Sequence, residues 1–80
     1  MTLKQKFENA LHVRGERCIK RNFKFDVWTR SNPSLSNKTY FYFLGRAGSL
    51  RVGTNQTTSR PCSDEFKAML LQPRIMSLDV

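Results

Sequence analysis

The sequence predicts a small α+β domain: a three-stranded antiparallel sheet with an N-terminal helix and a C-terminal helix, in the order α-β-β-β-α. Three observations predict it. Apolar residues near the start recur at helical spacing, and those in the middle alternate with period two. Helical spacing then returns behind a capping serine near the end. Eighty residues make one domain. In this reading residues 1–73 form the domain and 74–80 a flexible C-terminal tail.

The first helix spans Leu3 to Val13. Leu3, Phe7, Ala10 and Leu11 fall on one stripe, and Thr2 with Gln5 fits a capping box. Gly15 stops the helix just after Arg14. The stripe is expected to pack on the sheet.

Arg17 to Arg30 reads as one long strand. It exceeds the common length of ~5–6 residues, so a bulge or bend is expected within it. Ile19, Phe23, Phe25 and Val27 then point to one side, and Cys18, Lys20, Lys24, Asp26, Trp28 and Arg30 to the other. The first side is expected to be core, the second a cationic face with Trp28 among the charges. Ser31 to Asn37 has loop chemistry. Lys38 to Leu44 is the second strand, with Phe41 and Phe43 expected in the core and Tyr40, Tyr42 and Leu44 opposite.

Gly45 to Gly48 connects tightly to a third strand, Ser49 to Gly53, where Leu50 and Val52 alternate with Arg51. Thr54 to Cys62 reads as a polar loop. Ser63 caps the second helix, Asp64 and Glu65 occupy its first turn, and Phe66, Met69 and Leu70 form its apolar side. Gln72-Pro73 ends it.

Charge points to function more directly than any motif. The net charge is +8. Arg14 to Arg51 holds nine Lys or Arg against two Asp or Glu, seven of the eight net charges. A field of that sign attracts polyanions. The expected site is the cationic sheet face: Lys20, Lys24, Arg30, Arg46 and Arg51 contact phosphates or base edges, and Trp28 and Tyr42 stack on bases. The competing reading of the aromatics is a second small core. The nucleic acid is DNA or RNA. The alternative partner is an acidic surface of another protein, since aromatics beside arginine also make protein hot spots.

Other classes find less support. His12 is the single histidine, and it has no polar cluster around it in sequence. Asp26 reads as a salt-bridge partner rather than a catalyst. Two cysteines and one histidine fall short of a four-ligand zinc site, and no metal or other cofactor is expected. Cys18 and Cys62 are expected as free thiols. The chain is therefore expected to be a cytoplasmic non-enzyme without a membrane span. Three strands followed by a helix, over Arg17 to Leu71, is similar to β-sheet DNA readers such as the arm-binding domains of integrases. That likeness is one of element order and implies DNA contact by the exposed sheet face.

Overall fold

The computed structural model describes residues 1–30 and 39–72. The loop expected at Ser31–Asn37, the strand start expected at Lys38 and the tail expected at 74–80 lie outside the described residues.

Two helices flank an antiparallel sheet. The elements are α1 (Leu3–Val13), β1 (Glu16–Arg21), β2 (Phe25–Arg30), β3 (Phe41–Gly45), β4 (Leu50–Gly53), β5 (Arg60–Pro61) and α2 (Asp64–Leu71). The strands form one meander, in the order β1-β2-β3-β4-β5. The sheet therefore has five strands rather than the three expected.

The helix ends follow their local chemistry. Thr2 Oγ1 accepts the Gln5 N–H at 3.2 Å, and Gln5 Oε1 accepts the Thr2 N–H at 2.8 Å, closing the capping box. Ser63 Oγ accepts the Phe66 N–H at 3.1 Å and starts α2.

One extra strand comes from the middle of the expected long one. Asn22 turns the chain back: its Oδ1 accepts the N–H groups of Lys24 and Phe25, each at 2.8 Å, and its own N–H donates to Phe25 O at 3.0 Å. This is Asx-turn chemistry. The other extra strand is the short edge β5, where Pro61 sits at an edge that does not need its missing N–H.

The helices decide which face is inside. Cys18 pairs with Trp28, Trp28 with Tyr42, and Tyr42 with Val52, all on the helix-covered side. Asp26, Leu44 and Leu50 form the adjacent row there. Phe7 and Leu11 of α1 and Leu70 of α2 close this core around Trp28, Leu44, Leu50 and Cys62. The expected assignment is thus inverted in β2 and β3. Trp28, Tyr42 and Leu44 are core, while Phe25, Val27, Phe41 and Phe43 lie on the opposite face.

Two glycines permit close approaches. Gly48 has φ of +98° in the β3–β4 turn, and a Cβ there would meet the Leu3 side chain at 2.8 Å. Gly53 lets Ser59 lie against β4, where a Cβ would meet Ser59 Cα at 2.7 Å.

Both cysteines are free, Cys62 in the core and Cys18 half-buried. Burial pushes the Cys62 thiol up, with Lys67 pulling weakly the other way. Native protein treated with a thiol-specific chromogenic reagent is therefore expected to label at Cys18 first. Cys62 should react only after denaturant is added, and mass spectrometry of the labelled peptides checks the order.

Candidate nucleic-acid interface

The face opposite the helices is built around one cross-strand row. Lys20 pairs with Val27, Val27 with Phe43, Phe43 with Arg51, and Arg51 with Pro61. A cation stands at each end of an apolar pair. Lys20 reaches this face because of a bulge. Cys18 opposes Trp28 but Lys20 opposes Val27, the residue before Trp28, so Ile19 is the extra residue and the next side chain is re-aimed. Arg17 joins the same face opposite Thr29.

The apolar middle is half-covered. Phe25 meets Phe43 edge to face, with ring centroids 5.7 Å apart. Phe43 is 7 % exposed although it lies outside the main core. Arg51 is held in place: its Nε donates to Ser59 Oγ at 2.9 Å and its Nη2 to Ser59 O at 2.5 Å. The remaining N–H donors of the guanidinium are left for an anion.

The carboxylates gather on the other side. Asp26 is fully buried. Lys4 Nζ and Arg21 Nη1 each lie 2.9 Å from its Oδ2, and Arg46 Nη2 lies 3.0 Å from its Oδ1. The Arg46 contact is an ion pair without hydrogen-bond geometry, since Oδ1 accepts no hydrogen bond among the described residues. Glu8 joins the cluster through Lys4 at 2.6 Å and Arg21 at 3.4 Å. Burial raises the Asp26 carboxyl, but Lys4, Arg21 and Arg46 outweigh it and hold it below the usual range. The Lys4 hydrogen bond likewise lowers Glu8. At the other end of the core Glu16 is buried, with Arg30 Nε 3.7 Å from its Oε2.

The structure scatters the residues expected to form one site. Lys20 and Arg51 share the open face, while exposed Lys24 sits in the β1–β2 turn. Arg30 lies on the helix side, at the rim with Glu16, and Arg46 is tied to Asp26. Trp28 is 1 % exposed, with His12 edge-on at 4.9 Å between centroids, so its ring has no face for a base. Tyr42 is half-buried and stacked on Phe66 at 6.0 Å, with Arg14 against the Phe66 ring at 5.7 Å. Burial raises the Tyr42 phenol, with Glu16 adding to the shift. The two expected stackers are core residues because the helices pack on the face that carries Trp28 and Tyr42, not on the one that carries Phe25, Val27 and Phe43.

Arg17 and Phe23 were not anticipated as site residues. Arg17 sits in the same basic run, and only the pairing with Thr29 places it. Phe23 follows Asn22, whose turn chemistry was the available signal.

A groove of about 680 Å³ runs between α1 and α2. Leu3, Val13, Met69 and Leu71 line it with Lys6 and Arg14, and no carboxylate among the described residues shares the lining. Among the described residues no group of three or more His, Cys, Asp or Glu is placed to hold a metal ion, and no helix is long and apolar enough to cross a membrane. Comparison with protein families, curated proteins and solved structures returned no match.

Proposed function

We propose that the chain binds nucleic acid through the sheet face opposite the helices. The observation that carries this reading is the segregation of charge. Five of the six carboxylates lie among the described residues; Asp79 does not. Glu8, Glu16 and Asp26 are held in ion pairs on the helix side, and Asp64 and Glu65 begin α2. Arg17, Lys20 and Arg51 form no ion pair among the described residues. Cations without internal partners release counterions when they meet phosphates, and that release drives binding. Lys20 and Arg51 stand three strand spacings apart, about 14 Å, far enough to contact separate phosphates.

Fluorescence anisotropy with labelled duplex and single-stranded oligonucleotides tests the reading at two salt concentrations. Steep salt dependence is expected. Lys20→Glu with Arg51→Glu should weaken binding by about 100-fold at low salt, roughly tenfold per lost contact, and flatten the salt slope by about two. Lys6→Glu with Lys67→Glu changes net charge equally but sits on the helices, so it should matter much less. Equal losses from both pairs would mean that only diffuse charge matters.

A second reading keeps the same face and changes the partner to an acidic protein surface. Half-buried Phe25 and Val27 on the same face favour it, because a protein interface uses an apolar centre and a phosphate backbone does not. Failure to bind any oligonucleotide at low salt would leave this reading standing.

A further inference from the structure

Resting on the nucleic-acid reading, we infer that Phe23, at the tip of the β1–β2 hairpin, is the stacking platform for an unpaired nucleobase, with Lys24 beside it for the adjoining phosphate. Phe23 is 85 % exposed, the highest value for a large apolar residue among those described. A lone exposed apolar side chain is ordinary. This one is held out by a braced turn. Asn22 Oδ1 ties down the N–H groups of Lys24 and Phe25, and Arg46 donates to Asn22 O while its guanidinium also pairs with buried Asp26. The tip is therefore anchored to the ion cluster of the core, and little ordering is left to occur on binding.

The ring has the surroundings a base needs. Lys24 Nζ stands over it, 5.8 Å from the centroid, and the high exposure leaves ring surface free. Lys20 and Arg21 end the strand leading into the turn. A phenyl ring stacks on any base with a free face, without reading sequence. Paired bases hide their faces in the stack and show only edges in the grooves. Entry into a duplex would require unstacking a base step, whereas a single strand, bulge or loop offers the face directly. The ligand class is thus nucleic acid with unpaired bases.

The test uses the full chain with single-stranded DNA, single-stranded RNA and duplex DNA, each carrying 2-aminopurine, whose fluorescence changes on stacking. The wild type should prefer a single strand to the duplex and perturb the probe's fluorescence. The arm with the stronger response names the sugar. Phe23→Ala should weaken single-strand binding by about 5- to 100-fold, the range expected for one stacked base, and abolish the fluorescence change. Its duplex affinity and thermal midpoint should stay unchanged, and Phe23→Tyr should restore the stacked signal. Unchanged single-strand binding by Phe23→Ala, or an equal loss for duplex and single strand, would overturn the stacking role while leaving the charged face in place. Absence of binding to every probe at low salt would overturn both.

Discussion

Trp28→Ala is expected to cost about 3–5 kcal/mol, the range for deleting a large buried aromatic. A domain of this size has a total stability of roughly 4–12 kcal/mol, so a large part would be lost. The thermal midpoint should fall by roughly 12–40 °C. The reason is geometric. Trp28 is 1 % exposed at the centre of the sheet, paired with Cys18 and Tyr42 across the strands and packed in the cluster with Phe7, Leu11 and Leu44. Its truncation empties the space in which the helices meet the sheet. Trp28→Phe should cost far less. It keeps a ring there and removes an indole N–H that has no acceptor among the described residues. Circular dichroism melts of the two variants check the pair. A nearly unchanged midpoint for the alanine variant would mean that the ring lies outside the core.

That result bears on what a sequence can disclose. The helices were legible because their signals are local. Thr2 and Gln5 complete their box within one turn, and Ser63 caps α2 through an N–H three residues on. The antiparallel sheet was legible from alternation. Its parity was not, because alternation names two faces without saying which is inside. Phe25, Val27 and Phe43 are as apolar as Trp28, Tyr42 and Leu44, so composition gave both faces a claim to the core. The decision lies in long-range register: Trp28 and Leu44 share their rows with Val52 and Leu50, and only that side meets Phe7 and Leu11. Asn22 was the missed local clue to the extra strand. The site followed the same division: the basic run and Asp26's role as an ion-pair partner were readable, but Lys20's face depends on a bulge and Arg51's posture on Ser59. Phe23 became visible only once its turn was known.

Acid is expected to weaken the fold through the Asp26 cluster. Folding holds Asp26 below its ordinary value of 3.8 and Glu8 below 4.5. The unfolded chain then binds more protons than the native one across that window, so stability rises with pH there. The contribution is complete above about pH 5 and disappears as pH falls through the lowered native values. Asp26→Asn removes it at neutral pH. The cost should be about 2 kcal/mol, less than for a buried pair that strands a charge, because Arg21 and Arg46 reach water and can turn to it. On the alkaline side, buried Cys62 and half-buried Tyr42 hold their protons above the ordinary 9.0 and 10.0, so the native state keeps protons that the unfolded chain releases. Lys4, raised by Glu8 and Asp26 against the opposing effect of burial, stays charged past 10.5. Maximum stability should therefore lie between about pH 5 and 9. Urea unfolding of wild type and Asp26→Asn across pH measures both limbs. The difference between the two proteins should be flat in the neutral range and shrink below about pH 4, where the wild-type carboxyl takes up its proton. A difference independent of pH down to pH 2 would show that Asp26 contributes shape and hydrogen bonding rather than charge.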